Sequence, residues 1–87
     1  MDENQLLTFP CDFPIKVMGL RSEDFAQAVV AIVLQHAPDF RPETVEMRTS
    51  GRGNYLSVTC TVQAQSRAQL DGLYRALTAH PAVKMVL

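Results

Sequence analysis

Arg21, Arg52 and Asn54 are the side chains best placed to hold a charged molecule. Arg21 ends the short run Met18-Gly19-Leu20-Arg21-Ser22, and Arg52 and Asn54 lie in Ser50-Gly51-Arg52-Gly53-Asn54. Two glycines around an arginine let backbone N–H groups turn toward an anion while the guanidinium adds charge and a fork of donors. The plainer role of the same residues is a hairpin turn that needs positive φ, and the local sequence favours it.

Catalysis requires a nucleophile, acid or base held beside a partner, and no such pairing stands out. His36 and His80 each fall where a helix should end, a position that suits bonding to the last carbonyls. The Asp and Glu residues sit at helix starts and outward strand positions, as a solvated surface would place them. Cys60 belongs to an inward-facing set and reads as a small buried hydrophobe. Thiolate metal sites need clustered ligands, and Cys11 and Cys60 are far apart in sequence. Acylphosphatases combine an Arg near the first loop with an Asn on the sheet, so Arg21 and Asn54 invite comparison. The loop from Met18 to Ser22 lacks the glycine-rich donors that such a phosphate cradle needs. The expectation is a protein that is not an enzyme and carries no metal or cofactor.

The elements that must position these residues are easier to read. Tyr55 to Gln65 alternates: Leu56, Val58, Cys60, Val62 and Ala64 on one side, Ser57, Thr59, Thr61, Gln63 and Gln65 on the other. Strand side chains alternate between faces, so this strand has one dry and one wet face, and the dry face needs helices over it. Phe13 to Gly19 reads as a first strand with Ile15 and Val17 inward. Ser22 reads as the N-cap of a helix with Glu23 and Asp24 in its first turn and a stripe of Phe25, Ala28, Val29, Ile32, Val33 and His36, closed by Pro38. Val30 and Leu34 lie off that stripe and widen the apolar face. Thr44 to Ser50 reads as a strand with Val45 and Met47 inward. Ser66 with Gln69 matches a capping box, opening a helix through Leu70, Leu73, Tyr74 and Leu77 that His80-Pro81 ends. Val83 to Leu87 is a last strand. This order predicts an α+β fold: a ferredoxin-like βαββαβ sandwich, a four-stranded antiparallel sheet with two helices on one face. Residues 1–87 form one such domain, with residues 1–10 as a loosely tethered N-terminal arm.

Composition bounds the partners. The chain has 87 residues and a net charge of −1, which gives no global field toward nucleic acid or anionic membrane. No apolar run approaches the ~18 residues of a membrane helix. The start, Met1-Asp2-Glu3-Asn4-Gln5, does not read as a basic leader before an apolar stretch, and a cytoplasmic setting is expected. The open sheet face should show Lys16, Met18, Arg48, Tyr55, Thr59 and Lys84. That set makes nucleic-acid binding the alternative reading, weakened by its single aromatic. The apolar strand Val83-Lys84-Met85-Val86-Leu87 should lie at a sheet edge and offer unpaired backbone to a protein partner or a second copy.

An ordered set of segments resembles the YbeD-like family of small bacterial proteins. It comprises Phe9-Pro10, Phe13-Pro14, Lys16-Val17-Met18-Gly19, His36-Ala37-Pro38, Ser50 to Tyr55 with Ser57-Val58, Leu73-Tyr74, and Val83 to Leu87. The family's usual turn is closer to Ser-Ser-Lys-Gly, so Ser50-Gly51-Arg52-Gly53 keeps the basic residue in kind. The resemblance implies a ferredoxin-like fold similar to the ACT regulatory domains, no assigned activity, and an association with lipoate metabolism by gene neighbourhood. The resulting expectation is a regulatory or adaptor domain that binds a protein or a small metabolite. Its candidate surfaces are Gly19, Arg21 and Ser22, the turn Gly51, Arg52, Gly53 and Asn54, and the edge residues Lys84, Met85 and Val86.

Overall fold

The computed structural model describes residues 8–87. The alternation in the third segment becomes strand β3, Tyr55–Ala64, and it pairs antiparallel along its whole length with β1, Cys11–Leu20. The register runs from Cys11↔Ala64 to Leu20↔Tyr55 without a slip. β2 (Glu46–Ser50) pairs with β3, and β4 (Val83–Val86) pairs with β1, so the sheet order is β2-β3-β1-β4. Helices α1 (Phe25–His36) and α2 (Arg67–Ala79) both pack on the face that carries Ile15, Val17, Val58, Cys60 and Val62. The fold is therefore the ferredoxin-like βαββαβ sandwich that the sequence predicts.

The core follows the two periodicities. Ile15, Val17, Val58, Cys60, Val62 and Ala64 from the sheet meet Phe25, Val29 and Val33 from α1 and Leu70, Leu73 and Leu77 from α2, all buried. Phe9 and Phe13 pack against this cluster from the margin. The remainder of the predicted N-terminal arm, and the acidic start read as no leader, lie outside the described residues.

Three local expectations are corrected. The first strand extends three residues further, because Cys11 and Asp12 find partners in Ala64 and Gln63 and Leu20 finds one in Tyr55. Ser22 does not cap α1. The cap position is Asp24, whose side chain makes no capping bond, and Ser22 instead offers its carbonyl to the Phe25 N–H at 3.4 Å. The second strand begins at Glu46, since Pro42–Thr44 forms one 3-10 turn whose Pro42 carbonyl takes the Val45 N–H. Met47 does face the helix side, opposite Val58, yet it is 58 % exposed because neither α1 nor α2 reaches over β2.

The second helix start matches its expectation with one change. The Ser66 Oγ accepts from the Gln69 N–H at 3.1 Å, but the Gln69 side chain reaches back to the Gln65 N–H rather than to that of Ser66. Its amide nitrogen also donates to the His36 carbonyl at 2.9 Å, joining the end of α1 to the start of α2.

Two outcomes follow from this core. Leu73→Ala should cost about 2–5 kcal/mol, read as a lower urea midpoint at unchanged slope, because a buried leucine leaves both lost transfer energy and a cavity. Burial pushes the Cys60 thiol from 9.0 up to about 11. A raised thiol pKa means that the unfolded chain ionises first. Stability is thus whole below pH 9 and declines as pH rises from 9 toward 11. Tyr74, also raised by burial, adds to the same alkaline loss. Urea midpoints measured across that interval should fall less in Cys60→Ala than in the parent.

Candidate functional site

The site is built at the end of the sheet where β1 stops. Gly19 is buried there, and a Cβ on it would run into the Ala82 carbonyl and the Phe25 ring. The missing side chain lets Phe25 lie flat against β1, which sets where α1 begins and how the loop Arg21 to Asp24 crosses the sheet end. One step beyond Leu20↔Tyr55, the Arg21 N–H donates to the Asn54 carbonyl at 2.9 Å. The Arg21 Nη1 then donates to the Gly53 carbonyl at 3.4 Å. Loop and hairpin turn are thus tied by backbone and by side chain.

The result is an open basin of about 530 Å³ lined by Arg21, Ser22, Glu23, Gly53 and Asn54. Four of the residues singled out in the sequence converge on it. Glu23, by type and position a helix-start acid, joins them; its place two positions after Arg21 is the sequence signal for this. One arginine and one glutamate on a common rim can meet a molecule with an anionic end and a donor or cationic end.

The turn itself is an unusual piece of backbone. Gly51, Arg52 and Gly53 have φ of 59°, 60° and 86°, three left-handed residues in succession. For an L side chain this conformation costs roughly 1–2 kcal/mol, so glycine would be the easier choice at the middle position. Arg52 stays exposed there, and it is the preceding Gly51 that lies against the ring of Tyr55. A non-glycine residue held in left-handed backbone is the kind of outlier that points to a role for its side chain.

The remaining predicted residues do not join the basin. Lys84, Met85 and Val86 lie in β4, across β1 from the turn. Val86 pairs with Val17 and turns partly into the core, while Met85 pairs with Met18 and is exposed on the open face. The register slips between Met18 and Gly19, and Lys84 is the extra residue of that irregularity. The open face is less hydrated than its alternation suggests. Leu20, Tyr55 and Met85 are all exposed, and Ser57 is covered there, donating to the Arg48 carbonyl at 3.3 Å. Lys16, Glu46, Arg48, Ser57 and Thr59 line a polar pocket of about 220 Å³ on the same face. A second feature goes beyond the sequence pattern: Ala26, Val30, Leu34, Val45 and Met47 line an apolar groove between α1 and β2. Its signal was the off-stripe position of Val30 and Leu34.

The histidines hold structural posts. His80 Nδ1 accepts from the Ala82 N–H at 3.1 Å, closing the turn into β4 rather than bonding a helix carbonyl. His36 ends α1 and offers its carbonyl to Gln69. Among the described residues no group of three His, Cys, Asp or Glu side chains is placed to hold a metal ion, and Cys11 and Cys60 are both free thiols. No helix of the described residues is long and apolar enough to cross a membrane.

Gly19→Ala should lower stability by about 1–3 kcal/mol in urea titration, since the added methyl meets backbone on one side and a packed ring on the other. Arg52→Gly should leave the midpoint within about 1 kcal/mol of the parent, because relief of left-handed strain offsets the freer unfolded chain.

Comparison with known proteins places this arrangement. Residues 4–87 match the family described as "Protein of unknown function (DUF493)". A UPF0250 protein of Nitrosomonas europaea is 55% identical over 87 residues, covering 100% of both chains. The solution structure of protein HP0495 from H. pylori superposes with a TM-score of 0.75 at 12% identity, over 93% of this chain and 85% of that one. The ACT domain from the GTP pyrophosphokinase of Chlorobium tepidum superposes with a TM-score of 0.59 at 15% identity, over 88% and 97%. The chain belongs to the DUF493 family, the YbeD-like proteins, and has the fold of an ACT domain.

Proposed function

We propose that this chain is a non-catalytic regulatory domain that works by binding, and that its ligand site is the basin between the β1–α1 loop and the β2–β3 turn. The observation that carries the reading is the tie between Arg21 and Gly53, groups 32 positions apart in sequence, which brings a cation, an acid and backbone carbonyls onto one rim. The basin lies within the size range of sites for small molecules. Its ligand is a small polar metabolite whose carboxylate or phosphate meets Arg21 and whose donor or ammonium meets Glu23. The likeness to an ACT domain supports a binding role at the level of fold only. A partner protein would meet the domain on the β4 side, through Lys84 and Met85. Two free thiols and the absence of a disulfide among the described residues support a cytoplasmic setting.

A thermal-shift panel tests this with amino acids, short carboxylates, inorganic phosphate and lipoate, the last included for the family association. A true ligand at a hundredfold excess over its Kd adds about 2.7 kcal/mol and should raise Tm by several degrees. The shift should vanish in Arg21→Ala, weaken in Arg52→Gly and survive in Lys84→Ala. A panel without any shift, or a shift indifferent to Arg21→Ala, refutes the assignment. Arg21 and Asn54 share the basin, and that adjacency also favours a second reading, a phosphate-handling enzyme. Acyl-phosphate hydrolysis that is present in the parent and lost in Arg21→Ala would select it.

A further inference from the structure

The pocket on the open face of the sheet shares no residue with the basin. Alternation puts Lys16, Glu46, Arg48, Ser57 and Thr59 on that face, and the register sets them in two adjacent rows. Lys16, Thr59 and Glu46 run across β1, β3 and β2 in one row, and Ser57 and Arg48 stand side by side in the next.

Lys16, Glu46 and Arg48 would be expected to neutralise one another as a chain of ion pairs. They do not: among the described residues none of the three makes an ion pair, and none of their side chains makes a hydrogen bond. Two cations and one acid stand around an open space instead. Its floor carries Ser57, only 6 % exposed, whose hydroxyl donates to the Arg48 carbonyl at 3.3 Å. That bond is long for a hydroxyl, which can rotate toward a better acceptor. The neighbouring Thr59 hydroxyl has no partner among the described residues.

The donor set names the chemistry. An ammonium, a guanidinium and two hydroxyls come from three different strands and surround one point. A flat carboxylate is satisfied by a single guanidinium fork, whereas a tetrahedral oxyanion takes donors from several sides. Strands lie about 4.8 Å apart and same-face neighbours about 7 Å apart, so the Lys16 and Arg48 backbones are separated by roughly 12 Å. Two long side chains can close that span on one phosphate held over Ser57 and Thr59. Glu46 adds an acceptor on the rim, which calls for a ligand that also carries hydroxyl donors. The volume, about 220 Å³, falls below the ~300 Å³ at which sites for drug-sized molecules begin. No aromatic side chain lines it, so nothing there would stack a nucleobase.

We propose that this pocket is a second ligand site, for a small hydroxylated phosphate ester the size of a pentose phosphate. Lys16 and Arg48 hold the phosphate from two sides, Ser57 and Thr59 donate to it from the floor, and Glu46 accepts from the hydroxyls of the ester. The site does not rest on the reading of the basin.

Amide NMR of the isotope-labelled full chain, titrated with ribose 5-phosphate, inorganic phosphate and ribose, tests this. Ribose 5-phosphate should move the amides of Lys16, Glu46, Arg48, Ser57 and Thr59 and leave those of Arg21, Gly53 and Asn54 in place. Inorganic phosphate should move the same set more weakly, and ribose none of it. Lys16→Gln and Arg48→Gln should each weaken ribose 5-phosphate binding roughly tenfold or more, through loss of one charge-assisted contact. Both residues are exposed, so both variants should keep the parent's urea midpoint. Glu46→Gln should erase the preference for the ester over inorganic phosphate, and Arg21→Ala should change nothing. Titrations in which neither phosphate probe shifts these amides overturn the proposal. So do shifts that survive in both cation variants, an affinity for ribose equal to that for its phosphate, or shifts that gather at Arg21 and Gly53. That last result would assign the phosphate to the basin and leave the reading of the basin standing.

Discussion

The uninterrupted pairing of β1 with β3 is the constraint from which the rest of this molecule follows. Ten consecutive pairs fix which side of each strand is dry. A slip of one residue would send Ile15, Val17, Val58 and Val62 to the open face at once. The pairing also decides where chemistry can gather. It runs out at Leu20↔Tyr55, and the two hydrogen bonds beyond it, from the Arg21 N–H to Asn54 and from the Arg21 side chain to Gly53, make the loop of one strand and the turn of the other into neighbours.

The close approach at Gly19 links that frame to the basin. Phe25 is the first residue of α1, and its ring occupies the space that a side chain on Gly19 would fill. The helix therefore starts against the sheet, without a side-chain cap, and is held by packing in place of the usual hydrogen bond. Its preceding residues, Ser22 to Asp24, are left on the surface beside Arg21. A helix capped by Ser22 would have drawn those residues into its first turn and away from the rim.

Much of this was legible in the residues. The period-two alternation of β3 and the stripe of α2 gave the architecture, because burial of an apolar face dominates where a strand or helix settles. The turn from Gly51 to Asn54 and the place of Arg21 were legible as well. What escaped was tertiary. Ser22 is a good capping residue by type, but Phe25 packing against Gly19 moved the helix start. Met47 has the right parity for the core, yet parity cannot say whether a helix extends over that strand. The partnership of Arg21 with Gly53 depends on two loops meeting at one end of the sheet, which no local pattern encodes.

Gln69 carries a consequence of a different kind. Its backbone N–H is the one that Ser66 caps, while its side chain satisfies the Gln65 N–H and donates to the last carbonyl of α1. One side chain thus stitches the terminus of one helix to the origin of the other. Neither end can fray alone, so the two segments open as a unit, and their amide protons should be shielded from solvent deuterium to the same depth.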